Sequence, residues 1–270
     1  PIFAPKSVIL LRNALSVGLV ERRLSKIAYW LLLYLATGLS LLFSSRAIAV
    51  SNYARTSASG GLLKIFKGRF SIVPHGVDER FSESSSEVKR ENFMLAVSDL
   101  YVQKNFSRLL KAMSLIRKRY PTIKLKIAGR AIDKGYYASL LSEVEHLGIS
   151  GHVEFLGHVT PDKLVDLYQR CGVFVFPSLV ETFGNSLVEA MASGAPIATS
   201  RAAAMPEVAG EGALYFDPTD IDDIAAILES LLQSDELRRG LGQKALQQAK
   251  LYSWRITAEK TLAVLRDAAS

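Results

Sequence analysis

The chain of 270 residues contains one cysteine, Cys171. A single thiol cannot close an intramolecular disulfide, so a reducing compartment fits. Its surroundings, RCGVFVFPS, read as a strand entering a core with no basic neighbour, so the thiol is expected to be buried and inert. No internal repeat is present, and nine prolines and eighteen glycines are scattered through the chain, which argues against low complexity. The four histidines, His75, His146, His152 and His158, lack zinc-ligand spacing, and neither a Walker loop nor G-x-S-x-G occurs. At 49% hydrophobic and 22% charged, the composition is that of a globular protein with one large or two modest domains.

Acidic residues are scarce at one end only. Residues 1–90 carry 13 Lys/Arg against five Asp/Glu, whereas the remainder carries 20 against 21, so the whole net charge of +7 originates in the first third. No aromatic-interleaved basic stretch supports nucleic acid as a partner. An anionic membrane surface or an anionic lipid substrate fits that location better, and a basic surface serving solubility alone fits it as well. The opening PIFAPKSVILLRNAL begins on proline and has no charged leader with a cleavage site, so it reads as the interior of a longer, N-terminally incomplete chain. Between Lys26 and Arg46 lie nineteen uncharged residues, just enough for a bilayer span. Tyr29, Tyr34, Thr37, Gly38 and Ser40 make them less oily than most spans, so residues 27–45 are read as a buried helix leading into the strand AIAVS. Interfacial docking, with ERRLSK as a basic flank, is the alternative.

From residue 92 onward short apolar runs alternate with helix-period segments. FMLAVS, KLKIAG, HVEFLG, VFVFPS, PIATS and ALYFD read as strands; KNFSRLLKAMSLIRKRY, YYASLLSEVEHLG and TPDKLVDLYQRC read as helices, the last with Thr160 as N-cap and Pro161 in its first turn. Such alternation predicts a parallel sheet covered on both faces. The polar stretch HGVDERFSESSSEVKREN is read as a linker over residues 75–91. The expected organisation is therefore a partial domain over 1–74, the linker, an α/β domain over 92–252 and a closing helix over 253–270.

Ligands of a doubly wound sheet sit outside the carboxyl ends of its strands, and three polar clusters fall there. In AVSDLYVQKNFSRLL, Ser98 ends a strand and Lys104 stands at the next helix start, where a lysine suits a phosphate or diphosphate but is also an ordinary surface residue. In KIAGRAIDKG, Gly129 allows close backbone approach to a ligand and Arg130 follows, although a plain turn glycine explains it alone. In PSLVETFGNSLVEAMASG, Glu181 lies in a loop, Gly184, Asn185 and Ser186 offer the free N–H groups of a helix start, and Glu189 follows within the first turns. Carboxylates accept paired hydrogen bonds from vicinal hydroxyls, so the two suit a sugar and a ribose; a dipole-complementing acid beside an unrelated surface Glu fits the spacing too.

The ordered set of motifs resembles glycosyltransferase family 4, retaining enzymes of the GT-B fold. The resemblance rests on PSLVETFGNSLVEAMASGAPIATS, similar to the family's E-x7-E region. SDLYVQKN, KIAGR, VEFLGHVTPDKLVDLY, FDPTD and YSW support it, in the family's order over residues 46–260. It implies an α/β GT-B architecture: a Rossmann-like doubly wound parallel sheet binding a nucleotide-sugar donor, with a partial N-terminal acceptor domain and a last helix crossing back to it. It implies that Glu189 binds the nucleotide ribose, that Glu181 contacts donor-sugar hydroxyls and that the amides around Phe183, Gly184 and Asn185 face the sugar and diphosphate. Leu156, Gly157, His158 and Val159 would lie along the base, and Lys104 would neutralise the diphosphate leaving group. Two departures stand out. Asp99 occupies the position of a usual arginine, leaving either Lys104 alone or Arg130 to compensate, and most of the family's acceptor-binding domain, with the histidine many members carry there, has no counterpart.

The D-x-D at Asp220–Asp222 is read as helix-opening acid rather than a metal site, so no metal or other cofactor is expected. The expectation is a retaining hexosyltransferase acting on a glycan or lipid-linked acceptor, cytoplasmic and peripheral at the inner membrane face, in polysaccharide biosynthesis. The alternative is a non-catalytic nucleotide-sugar-binding fragment or interaction module.

Overall fold

The computed structural model describes residues 6–11, 24–82 and 89–270, with side chains from residue 28 onward in the first long helix. Strands β1 (Val8–Leu11), β2 (Arg46–Ala49) and β3 (Phe70–Ile72) form a small parallel sheet in that order. Helix α1 (Leu24–Phe43) leads into β2, and helix α2 (Asn52–Ala58) with a 3₁₀ segment (Gly61–Arg69) connects β2 to β3. Ser51 caps α2, its hydroxyl accepting from the Ala54 amide at 2.9 Å.

The reading of residues 27–45 as a buried helix is corrected. Leu31, Leu32, Leu35, Leu39 and Leu42 are all more than half exposed, and on the described part of α1 only Thr37 and Leu41 are buried. The reason is one-sided packing. Tyr34 donates to the Gly60 carbonyl, a Cβ on Gly38 would stand 3.1 Å from Leu63, and Arg69 donates to the Leu41 and Ser44 carbonyls, while the leucines of the opposite stripe stay exposed among the described residues. Among the described residues no helix is long and apolar enough to cross a membrane. The side chains of the ERRLSK flank lie outside the described residues.

The stretch read as a linker is partly structured. Val77 bridges Ser253, Glu79–Phe81 forms a 3₁₀ turn with Phe81 buried, and Glu91 already opens a strand; residues 83–88 lie outside the described residues.

The larger unit comprises β4 (Glu91–Val97), α3 (Phe106–Ile116), β5 (Lys124–Ala128), α4 (Lys134–His146), β6 (Val153–Gly157), α5 (Pro161–Arg170), β7 (Cys171–Phe176), α6 (Asn185–Ala192), β8 (Ile197–Ser200), α7 (Met205–Ala209), β9 (Ala213–Phe216), α8 (Ile221–Gln233) and α9 (Asp235–Ala249). Its six strands are parallel in the order β6-β5-β4-β7-β8-β9, the doubly wound arrangement. Both faces are apolar, as a sheet covered on both sides requires. Phe93, Leu95 and Phe174 pack toward α6, while Met94, Ala96, Val173 and Val175 pack toward α3, α4 and α8. Thr160 takes the expected N-cap position of α5, with Pro161 in the first turn, although its side chain makes no capping bond.

Two sets of contacts join the sheets. Helix α10 (Trp254–Ala269) returns to the small sheet, where Val264 packs with Ile48 and Val73 and Asp267 pairs with Arg46 at 2.5 Å. At the mouth between them, the Ser51 hydroxyl donates to the Thr182 carbonyl at 2.6 Å, and the Glu207 carboxylate accepts from the Asn52 and Tyr53 amides at 2.8 and 3.2 Å.

Candidate functional site

Strands β4 and β7 are neighbours, but the chain leaves them toward opposite edges of the sheet, so the loops at their carboxyl ends diverge and leave a crevice. A cavity of about 540 Å³ occupies it, lined by Ser98, Lys104, Gly129, Arg130, His158, Val159, Ser186 and Glu189 among others. The structure thus gathers eight of the sequence-selected residues from loops far apart in the chain.

Lys104 is placed by its neighbour. Asn105 adopts a left-handed conformation (φ 60°), and its buried amide donates to the Pro177 carbonyl at 3.1 Å and the Pro218 carbonyl at 2.7 Å, tying the turn Val102–Lys104 to the end of β7. Gly129 has φ 149°, and a Cβ there would stand 1.9 Å from the Ser98 carbonyl, so only glycine lets these two walls meet. Asp99 receives the Arg130 amide at 2.9 Å and its guanidinium at 2.7 Å, which holds the Asp99 carboxyl below the usual carboxylate range. The acid therefore orients Arg130 at the cavity rim instead of replacing a cation.

The carboxylates of the E-x7-E segment have different surroundings. Glu181 receives the Lys104 ammonium at 2.5 Å and the Ser178 hydroxyl at 2.9 Å, both on Oε1. Gly184, in a left-handed conformation (φ 88°), caps α6 and turns the chain beneath the Phe176 ring. Glu189 follows on α6 and is largely buried; burial raises its carboxyl above the usual range, and the Tyr168 hydroxyl, donating to Oε2 at 2.9 Å, opposes that rise.

The remaining selected residues surround the cavity rather than line it. Leu156 joins His158 and Val159 along a neighbouring groove of about 600 Å³, and the Gly157 carbonyl accepts from the Gly129 amide at 2.8 Å. The Phe183 side chain is buried, edge-on to His75 and Tyr252. Asn185 accepts from His75 Nδ1 at 2.9 Å and, with Glu189, lines a second hollow of about 340 Å³. Sequence reasoning missed Tyr168, His75 and Arg90. Arg90 donates to the carbonyls of Tyr168 (3.3 Å), Gln169 (3.1 Å) and Cys171 (3.0 Å), and also to that of Gly194. Burial lowers its pKa. A lone Arg ahead of a strand and a Tyr in the last turns of an amphipathic helix carry no local signal of such roles.

Asp220 is a helix cap, accepting from the Asp222 and Asp223 amides at 2.9 and 3.2 Å. Among the described residues no three His, Cys, Asp or Glu side chains converge as a metal site. Cys171 is fully buried, which pushes its thiol up to about 12.

A crevice lined by a lysine, an arginine and Glu189, with Glu181 held on the lysine and the start of α6 beside it, has the chemistry to receive phosphate and hydroxyl groups. Comparison with known proteins points the same way. The family model described as Glycosyl transferases group 1 matches residues 77–248. The MMP alpha-(1->4)-mannosyltransferase of Mycolicibacterium hassiacum is 35% identical over 202 residues, 73% of this chain and 48% of that protein. The O-antigen chain mannosyltransferase B of Escherichia coli is 33% identical over 177 residues, 64% and 45% respectively. The chain thus spans about half the length of these curated relatives. Among solved structures, Anabaena HepE in complex with UDP and glucose superposes with a TM-score of 0.80 at 20% identity, covering 95% of this chain and 71% of that one. Sucrose-phosphate synthase of Thermosynechococcus elongatus gives 0.82 at 19%, covering 97% and 68%. The fold is of the GT-B type.

Proposed function

Because the chain belongs to the group 1 glycosyl transferases, we propose that it forms the donor-binding half of a retaining enzyme that moves a hexose from a nucleotide sugar to a glycan or lipid-linked acceptor. The observation that carries this reading is the convergence of Lys104, Gly129, Arg130, Ser186 and Glu189 on one crevice at the sheet's switch point. The two relatives described above are mannosyltransferases, which favours mannose as the sugar. An entering diphosphate competes with Glu181 for Lys104; once displaced, the Glu181 carboxylate is released toward the sugar hydroxyls, and Lys104 stabilises charge as the leaving group departs. Glu189 receives the ribose hydroxyls. Arg130, held by Asp99, supplies the second cation near the diphosphate. No metal is required in this scheme.

Calorimetric titration with UDP, GDP and ADP, repeated in EDTA, tests the site. One nucleotide should bind clearly better than the others, with unchanged affinity in chelator. Strict dependence on a divalent ion would overturn the metal-free scheme, and no binding by a folded sample would leave the interaction-module reading in its place.

The proposed working location is the inner, anionic face of the cytoplasmic membrane. Residues 22–77 contain eight Lys/Arg and no Asp/Glu. Besides the exposed leucines of α1, that stretch holds Leu62 and Ile65, 84% and 82% exposed, with Lys64 and Lys67 close to them in sequence. Apolar side chains flanked by cations suit an interface rich in anionic lipid. Sedimentation with phosphatidylglycerol vesicles should carry the protein down, less so for Leu62→Ser/Ile65→Ser, while phosphatidylcholine vesicles should not. Equal recovery with both lipids would refute charge-guided docking.

A further inference from the structure

Glu189 is held from behind by a residue that no sequence motif indicated. Tyr168 sits near the end of α5 with its ring fully buried, edge-on to Phe174 at 5.4 Å and to Phe81 at 5.9 Å. Walled in by aromatic rings, it has little rotamer freedom, and its hydroxyl meets Glu189 Oε2 at 2.9 Å. The backbone on either side is fixed as well. Arg90 grips the carbonyls of Tyr168, Gln169 and Cys171 at the end of α5 and that of Gly194 just beyond α6, so one guanidinium sets the spacing of the two helices that bear Tyr168 and Glu189. Glu189 meanwhile lines both the 540 Å³ cavity and the 340 Å³ hollow beside it.

We propose that Tyr168 is a positioning residue for donor binding: by occupying one carboxylate oxygen of Glu189, it fixes the rotamer of that side chain and aims the other oxygen at the hydroxyls of the bound nucleotide. The proposal rests on the reading of Glu189 as the donor-binding carboxylate. A carboxylate on three freely turning bonds must lose rotamer entropy when it binds; one already anchored by a rigid phenol loses less. The phenol also supplies a donor to a charge that is largely out of water, favouring its ionised form. Tyr168 touches no substrate and takes no part in proton transfer; burial and the adjacent Glu189 charge push its own hydroxyl well above its usual range, so it stays a donor.

This role carries a pH signature. Burial raises the Glu189 carboxyl, the Asp78 charge adds to the rise, and the Tyr168 hydrogen bond lowers it. The other charged or titratable groups around the two hollows are Lys104, Asp99, Tyr101, Arg130 and His158 on one side and Arg80 on the other. Nucleotide affinity that needs ionised Glu189 is full above its pKa and is lost as pH falls through it. Removing the phenol raises that pKa further, so the acid limb of the binding profile should move to higher pH.

Tyr168→Phe keeps the ring and deletes only the hydroxyl. Calorimetry on the folded chain, using whichever of UDP, GDP and ADP binds most tightly, should show Kd about tenfold higher at neutral pH and the acid limb displaced upward, with thermal unfolding little changed. In the intact protein KM for the donor should rise with kcat kept. Glu189→Gln supplies the second arm: in that background Tyr168→Phe should add nothing to the loss. Wild-type Kd and an unmoved acid limb in Tyr168→Phe, with Glu189→Gln impaired, would overturn the positioning role alone. Wild-type Kd in Glu189→Gln would instead overturn the assignment of Glu189 beneath it.

Discussion

Arg90→Met should lower the free energy of unfolding by about 3–4 kcal/mol, one of the larger losses available to a single substitution in this protein. The guanidinium donates to four carbonyls, on Tyr168, Gln169, Cys171 and Gly194. Methionine fills much of the volume but donates to none of them, so the end of α5 and the turn after α6 keep desolvated acceptors without their cation. Burial lowers the Arg90 pKa, the mark of a charge held away from water by hydrogen bonds rather than by a carboxylate. Urea denaturation at neutral pH checks this: the midpoint should fall with the slope unchanged. Arg90→Lys should recover part of the loss, because an ammonium reaches some of the carbonyls but lacks the planar fork that reaches both helix ends. A loss below about 1 kcal/mol for Arg90→Met would mean that water replaces the guanidinium, and that the spacing of α5 and α6 is set by their apolar contacts alone.

Lys104→Ala should reduce turnover in the intact protein by about 10²–10³-fold, and should weaken nucleoside diphosphate binding to this chain by about tenfold or more. The larger kinetic effect is expected because charge on the diphosphate grows as the sugar departs, so the lysine is worth more at that moment than in the resting complex. The pair with Glu181, at 2.5 Å and with both side chains mostly shielded, makes the result diagnostic. If Lys104 serves only to neutralise Glu181, then Lys104→Ala/Glu181→Gln should restore nucleoside diphosphate binding, since the orphaned charge is gone. If Lys104 acts on the diphosphate, the double variant should bind nucleoside diphosphate as weakly as the single one. Arg130 is not a ready substitute: it lies at the rim with Asp99 already on its guanidinium.

The part of this protein that its sequence determined by itself is the part encoded by local period. Runs such as Phe93–Val97 and Cys171–Phe176 are apolar on successive residues because both faces of a parallel strand are covered, and that signature needs no knowledge of the partner strands. The loop-to-helix start at Gly184 and the cap at Asp220 were legible for the same reason: they follow from main-chain groups within a few residues. Residue 105 shows the limit, since an asparagine in a left-handed turn is a local event, whereas its grip on the carbonyls of Pro177 and Pro218 is not.

Helix α1 was misjudged because twenty mostly apolar residues look the same whether a second layer covers them or not. Only the packing of Gly38 and Leu41 shows that one side is used and that, among the described residues, the leucine stripe is left exposed. The site depends on partners equally out of reach of local pattern. Lys104 and Glu181 are 77 residues apart, Tyr168 and Glu189 are 21 apart on different helices, and Arg90 reaches across 104 residues to Gly194. Which loops become neighbours follows from strand order, and the order β5-β4-β7 is decided by crossover connections and the burial of whole faces rather than by any short segment. Tertiary structure thus turned a set of separately ambiguous residues into one crevice: a cation acquires meaning only from the charge it faces, and that distance is set by the fold.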